Sequence, residues 1–202
     1  MNVLAIEKKP SKPKKSSTQK YKFKVKDILK MYQSGIFNPQ EKVELLNGEV
    51  YRMSPIGFRH ALIVDNLTNL IAQLIFKDEN LSKNFRVRVQ NPIFIDENNL
   101  PQPDIAVVKS DYLKEKQHPK PNYVELIIEV SDTTIEKDKD LKLPIYAKAN
   151  IKEVWIVNLN NNHIEVYTQP HKKEYLNVNI YPPDKTIKIF NNDIPVDKIF
   201  NI

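Results

Sequence analysis

The sequence contains no cysteine, only three glycines and four histidines, and a single tryptophan among its 202 residues. The absence of cysteine excludes disulfide scaffolds, zinc ribbons, cysteine nucleophiles and thiol redox chemistry. Because histidines are few, we expect any metal ion to be bound through oxygen ligands. No run approaches the roughly 18 consecutive apolar residues of a membrane span, and the N-terminal segment is charged where a secretory signal would be apolar. We therefore expect a cytoplasmic protein without membrane association.

The net charge of +6 is concentrated near the N-terminus. Residues 1–20 contain six lysines and one glutamate, which gives +5 and leaves +1 for the remaining 182 residues. Residues 1–20 are polar and rich in proline and serine, so we predict a disordered basic tail. Residues 21–202 are predicted to form a single domain. The tail is either a nonspecific phosphate-binding arm or a solubilising terminus.

Hydrophobic periodicity predicts a mixture of helices and strands, and thus an α/β or α+β fold. Apolar residues at helical spacing predict helices over residues 25–33 and 57–78. Between them, two strands over residues 43–46 and 50–53 flank Asn47-Gly48, a strong hairpin signal. Strands are further predicted at residues 85–89, 92–95, 104–108, 123–130, 153–157 and 163–167, with one or two edge strands and a closing turn after residue 174.

A further helix is predicted between the two central strand groups. Thr133-x-x-Glu136 has the pattern of a capping box that opens a helix running to about residue 149. Pro144 lies inside this segment, so we expect a kink or a late start.

Two carboxylates lie where strands of the predicted sheet end or begin. Glu125 and Glu129 point to the same face of the strand at residues 123–130, since side chains alternate. A buried carboxylate costs several kcal/mol unless it is paired or bound to metal. We expect Glu125 to be exposed or salt-bridged, whereas Glu129 precedes a loop-to-helix junction, where open α/β sheets place their sites. Asp104 follows Pro101-Gln102-Pro103 and opens another strand. If the strands that carry Asp104 and Glu129 are adjacent, these two carboxylates together suit Mg²⁺.

Asp138, Lys142 and Tyr146 recur at i, i+4 and i+8 and so share one stripe of the predicted helix. Such a stripe is typical of a solvated helix face. The alternative is that the helix, which starts directly after Glu129, brings Lys142 to the same site.

These motifs together resemble a known family, the Uma-two endonucleases of the PD-(D/E)XK, restriction-endonuclease-like superfamily. The resemblance covers residues 22–200 and rests on Glu44-Leu-Leu-Asn-Gly-Glu, Met53-Ser-Pro, His60, Pro103-Asp104-Ile-Ala-Val-Val, Glu129-Val130-Ser131, Thr133-Thr134, Asp138, Lys142, Tyr146 and Glu153-Val-Trp-Ile-Val. It implies a central mixed sheet flanked by helices, with an additional N-terminal hairpin and C-terminal strands.

The resemblance also implies a metal-dependent DNA endonuclease. A Mg²⁺ or Mn²⁺ ion would be held by Asp104, Glu129 and the backbone carbonyl of Val130, and would activate water for phosphodiester hydrolysis. The superfamily lysine usually follows the glutamate by two residues, where this chain has Ser131. The resemblance therefore transfers to Lys142 the role of orienting water and stabilising the transition state.

Four further side chains match family positions near the site. Glu44 is a candidate ligand of the metal or of a metal-bound water. His60 is a candidate phosphate contact or proton shuttle, or else a hydrogen-bonded histidine at a helix start. Asp138 and Tyr146 either orient Lys142 or hold the helix on the sheet.

Arg86 and Arg88 share one face of their strand, so they are candidate contacts for the DNA backbone, as are the N-terminal lysines. The alternative for the arginines is a strand edge that charge protects from aggregation. Cleavage of both DNA strands needs two active sites, which makes a homodimer plausible. DNA and RNA substrates are not distinguished, and the competing function is a nuclease-fold nucleic-acid-binding or regulatory module that no longer cuts.

Overall fold

The computed structural model describes residues 19–38 and 40–201. The predicted basic tail lies outside the described residues, apart from residues 19 and 20. The described strands are β1 (Val43–Leu46), β2 (Glu49–Arg52), β3 (Phe85–Val89), β4 (Ile105–Lys109), β5 (Val124–Ser131), β6 (Glu153–Asn158), β7 (His163–His171), β8 (Glu174–Tyr181), β9 (Thr186–Ile189) and β10 (Asn192–Pro195). The described α-helices are α1 (Val25–Gln33), α2 (Phe58–Lys77), α3 (Glu79–Asn84), α4 (Ile135–Lys137), α5 (Leu143–Lys148) and α6 (Asp197–Phe200).

Six strands form one mixed sheet in the order β3-β4-β5-β6-β7-β8. β5 and β6 are parallel, and the other neighbours are antiparallel. Two small hairpins, β1–β2 and β9–β10, stand beside this sheet. The central mixed sheet with flanking helices, an N-terminal hairpin and additional C-terminal strands confirms the predicted fold class. Within residues 19–38 and 40–201, no helix combines the length and apolar character that crossing a bilayer requires.

The sheet separates two apolar layers. One layer packs α2, α6 and the β9–β10 hairpin against one face, and the other packs α5 against the opposite face. Along β5, Leu126, Ile128 and Val130 enter the first layer and Ile127 enters the second. β5 pairs with β4 on one side and β6 on the other, so it is an interior strand. The alternation aims the Glu129 side chain into the α5 layer.

Residues 92–95 do not form the predicted strand. Ile93 N–H donates to the carbonyl of Pro101 and Phe94 N–H to that of Pro119, which binds the segment to two separate loops. Pro92, Pro101 and Pro119 have no N–H to donate, so no regular ladder can form with these neighbours. The apolar run is instead a loop that seats Ile93 in the α5 layer.

The segment after β5 also differs from prediction. The N-cap of α4 is Thr134, without a side-chain capping bond. The Thr134 hydroxyl donates instead to Asp138 Oδ2, 2.9 Å away. The predicted capping box, which had Thr133 as the N-cap, is therefore wrong. The helix is interrupted by a π-helical turn over Asp138–Lys142 before α5 begins. Pro144 lacks the N–H that would continue the α-helix, and the expected irregularity before it is confirmed.

The C-terminal region is more regular than predicted. β8 is the expected edge strand, and β9 and β10 form a separate hairpin followed by the one-turn helix α6.

The β1–β2 turn gives a first testable prediction. Gly48 has φ +75°, and a Cβ there would lie 2.9 Å from Lys22 Cβ and 3.2 Å from the Phe23 carbonyl oxygen. Gly48→Ala therefore combines about 1–3 kcal/mol of backbone strain with a steric clash. We expect a lower melting temperature by roughly 2–4 °C per kcal/mol. The control is Gly35→Ala, because Gly35 has the same φ and nothing within 4 Å. Equal melting temperatures for the two variants would contradict the clash.

Candidate functional site

A cleft of about 480 Å³ opens at the C-terminal end of β5. Its walls come from the β1–β2 hairpin, the segment that leads into α2, and the chain from β5 through the π-helical turn. Seven predicted site residues line it: Glu44, His60, Asp104, Glu129, Val130, Asp138 and Lys142. Tyr146 is fully buried in the layer below. Another cleft of about 400 Å³, beside α5, contains none of the predicted site residues.

Lys142 lies at the centre of the site and is only 4% exposed. Its ammonium nitrogen is 3.0 Å from Glu129 Oε2, 3.3 Å from Glu44 Oε2 and 3.4 Å from Asp138 Oδ1. Burial alone would lower the pKa of Lys142, but the surrounding carboxylates outweigh it and raise the pKa above its usual range. Lys142 therefore stays positively charged at neutral pH.

Asp138, Lys142 and Tyr146 do not form a solvated helix face. They are 3%, 4% and 0% exposed, so the solvated-face interpretation is wrong and the stripe points into the protein. Asp138 Oδ2 accepts hydrogen bonds from Ser131 Oγ at 2.8 Å and Thr134 Oγ1 at 2.9 Å. Asp138 thus ties the π-helical turn to the end of β5 and turns its other oxygen toward Lys142.

Tyr146 contacts Glu129 rather than Lys142. Its hydroxyl donates to Glu129 Oε1 at 2.7 Å, while Lys142 holds Oε2. Burial, with repulsion from neighbouring carboxylates and partial offset from Lys142, raises the pKa of Glu129 to about 8. Tyr146 and Lys142 therefore fix both oxygens of a carboxyl group that burial makes costly to ionise.

Asp104 lies beside Glu129, as predicted from the two strands. Ile105 pairs with Ile128, so the residues just beyond this pair are neighbours. Asp104 Oδ2 accepts a hydrogen bond from Val130 N–H at 2.9 Å and lies 3.2 Å from His60 Nε2. Burial lowers the pKa of His60, but the Asp104 carboxylate outweighs this and raises the pKa above its usual value.

Glu44 reaches the site from the β1–β2 hairpin. It is buried and accepts from Lys137 Nζ and from the backbone N–H of Gln102, the latter at 3.2 Å. Since Lys142 also contacts Glu44, the hairpin, the loop before β4 and the π-helical turn converge on one carboxylate.

Arg86 and Arg88 are not among the residues that line the cleft. Arg86 is exposed, and Arg88 donates to the Tyr112 hydroxyl at 2.8 Å. Their proposed role in binding the DNA backbone stays a prediction, with Arg88 already engaged within its own chain.

Sequence reasoning missed several cleft residues. Lys137, which directly precedes Asp138, and Arg59, which directly precedes His60, were not predicted from the sequence. Arg59 donates to the Leu159 carbonyl at 2.8 Å and to Asn162. Gln102 stands between two prolines, a signal of a fixed loop that could have identified it.

The donor chemistry of the cleft fits a divalent cation. Among residues 19–38 and 40–201, no three His, Asp or Glu side chains are arranged to hold a metal ion by themselves. Mg²⁺ needs fewer protein ligands, because it usually keeps several waters and takes one or two carboxylates. Four of the carboxylates that line the cleft are buried: Glu44, Asp104, Glu129 and Asp138.

Asp104 and Glu129 lie side by side on neighbouring strands, so they are candidate ligands for such a cation. Asp104 Oδ1 makes only a long contact of 3.5 Å with Gln90 Nε2, so it retains acceptor capacity. In a strand, the N–H and C=O of one residue point to the same side. The Val130 N–H points toward Asp104, so the Val130 carbonyl points toward Asp104 as well.

Comparisons with known proteins identify the family and a similar fold. The Uma2 family model, described as "Putative restriction endonuclease", matches residues 25–191. The fold is similar to a crystal structure of "a putative nuclease belonging to DUF820" from Anabaena variabilis, with a TM-score of 0.68 and 13% identity, over 88% of this chain and 97% of that one. No curated protein matches the chain. Since the family model spans well over half of the sequence, the chain belongs to the Uma2 family of restriction-endonuclease-like proteins.

Proposed function

We propose that the protein is an endonuclease that hydrolyses phosphodiester bonds in DNA with the help of Mg²⁺ or Mn²⁺. The observation that carries the proposal is the buried Lys142 surrounded by Glu44, Glu129 and Asp138 at the end of β5. Family membership supports nuclease chemistry. Asp104, Glu129 and the Val130 carbonyl would hold the ion. When bound, the ion lowers the pKa of a water and neutralises charge on phosphate.

The protein side chains have separable roles in this proposal. Because its pKa is raised, Lys142 does not accept a proton. It supplies a fixed positive charge beside the scissile phosphate. Tyr146 and Lys142 hold Glu129 in one orientation, and Asp138 holds Lys142. His60 donates toward Asp104 and orients that carboxylate.

The rim of the cleft supports a nucleic-acid substrate. Arg52 and Arg59 bring positive charge to its edge, where phosphates would pass. Phe58, at the start of α2, is 79% exposed beside these arginines and offers a flat apolar surface on which a base can stack.

The direct test is cleavage of supercoiled plasmid and single-stranded DNA by the purified protein in Mg²⁺, Mn²⁺ or EDTA. We expect nicked or linear products with either metal and none with EDTA. An RNA substrate in the same assay decides between DNA and RNA. Intact substrate under every condition, with folded protein, would contradict the nuclease proposal.

One observation favours a second candidate, a nucleic-acid-binding module that does not cut. Both Glu129 oxygens already accept hydrogen bonds from Lys142 and Tyr146. If these bonds satisfy Glu129 permanently, no cation is needed at the site.

Metal-dependent stability separates the two candidates. If Asp104 and Glu129 hold the ion, Mn²⁺ at about 100 times its Kd adds about 2.7 kcal/mol to the unfolding free energy. The melting temperature should then rise by roughly 2–4 °C per kcal/mol. Asp104→Asn should abolish the rise. Asp132→Asn should keep it, because Asp132 lines the same cleft with an exposed side chain. An unchanged melting temperature in the wild type would favour the non-catalytic module.

A further inference from the structure

The strand β8 forms an open edge of the main sheet. It pairs with β7 on one side, and no described strand pairs with it on the other. Within the described residues, the outward backbone N–H and C=O groups of β8 therefore have no ladder partner. Such a row of groups is a template for pairing with a further strand.

An exposed apolar stripe follows this edge. Leu176, Val178 and Ile180 alternate along β8 and are 64%, 46% and 61% exposed. Asn177 and Asn179 separate them, so the stripe occupies one face of the strand. Three apolar side chains in a row on an edge strand are unusual without a partner that covers them.

The two edges of the sheet differ in protection. The opposite edge, β3, has Arg86 and Arg88 along it. In β8 the only charged residue is Glu174 at its first position, and the strand contains no proline. Charge and proline are usual means of preventing edge pairing, and β8 has neither after Glu174. The helix α5 packs against β8 but leaves Leu176, Val178 and Ile180 exposed.

We propose that β8 pairs antiparallel with β8 of a second copy of this chain, about a two-fold axis at Val178. In this register Val178 faces its own equivalent, and Leu176 faces Ile180 of the second copy. The apolar stripes then form one continuous face. A shift of one residue would instead place apolar side chains against asparagines.

The charges beside β8 fit the same arrangement. Extending the register past the ends of β8 brings Lys172, in the turn before the strand, alongside Asp184 of the second copy. Both are exposed, and their charges are opposite. Because the strand complements itself in pattern and in charge, a second copy fits it better than an unrelated strand would, and two-fold contacts of this kind close into a dimer.

The absence of native cysteine permits a register-specific test. In antiparallel pairs, facing Cα atoms are about 4.5–5.5 Å apart, within the disulfide range. Val178→Cys should therefore form a disulfide-linked dimer on mild oxidation. Leu176→Cys is the matched control on the same stripe. Its two thiols would be about four residues apart along the strands, roughly 13 Å, and should not join.

Sedimentation equilibrium over a concentration series tests the contact without cysteines. The wild type should be dimeric, and Val178→Lys, which places two like charges on the axis, should be monomeric. Phe76→Lys replaces another exposed apolar residue, on α2, and should stay dimeric. A monomeric wild type, a dimeric Val178→Lys variant, or equal cross-linking at positions 176 and 178 would overturn the proposal. These readouts do not depend on nuclease activity.

Discussion

Asp104→Asn is expected to reduce metal-dependent cleavage by at least about 10³-fold, which corresponds to roughly 4 kcal/mol of transition-state stabilisation. Asparagine keeps a carbonyl oxygen that can accept the Val130 N–H bond, so the local fold should persist. What is lost is the negative charge that would hold the cation beside Glu129. The measurement is the single-turnover rate of plasmid nicking at saturating Mn²⁺.

Asp132→Asn is the matched control for this prediction. It removes the same charge from the same cleft, but at an exposed position just past the end of β5. Its cleavage rate should stay within a few-fold of the wild type. Similar losses in both variants would mean that the net charge of the cleft, rather than a ligand at Asp104, controls activity. An unchanged rate in Asp104→Asn would exclude Asp104 from the catalytic site.

The sequence predicted those parts of the fold that depend on local patterns. The Asn47-Gly48 turn, the long helix α2 and the alternating strand β5 each have a signal within their own residues. The placement of Asp104 beside Glu129 needed one further assumption, that β4 and β5 are neighbours, and the structure confirms it. Residues 92–95 show the limit of such reasoning, because an apolar run becomes a strand only when a hydrogen-bonding partner lies beside it.

The orientation of Lys142 could not be predicted in the same way. An Asp138–Lys142 pair at i, i+4 is the same pattern on a solvated helix and in a buried cluster. The π-helical turn and the contact with Glu44, which is 98 positions earlier in the chain, decide between the two. The contact between Tyr146 and Glu129 was missed for a similar reason, since it joins a helix to a strand across the core.

Lys142→Met is expected to give the largest loss of stability, about 3–5 kcal/mol, because it leaves buried carboxylates without their cation. The melting temperature in EDTA should fall by roughly 2–4 °C per kcal/mol. Lys139→Met is the matched control on the same π-helical turn. Lys139 is partly exposed, and its partner Glu165 keeps hydrogen bonds from Tyr167 and His163, so the loss should be smaller.

The pH dependence and a double variant identify the cause of this loss. The folded-state pKa of Glu129 already lies at about 8, above its unfolded value, because of burial. Between about pH 4.5 and 8 the folded protein therefore binds more protons than the unfolded chain. Glu129 lowers the free energy of unfolding increasingly as pH rises through this range. Removing the Lys142 ammonium raises the Glu129 pKa further. The loss of unfolding free energy in Lys142→Met should therefore be greater at pH 8 than at pH 6. Adding Glu129→Gln, which still accepts from Tyr146, should recover part of the stability. A deficit that is independent of pH, with no recovery in the double variant, would assign the loss to packing of the lysine side chain rather than to its charge.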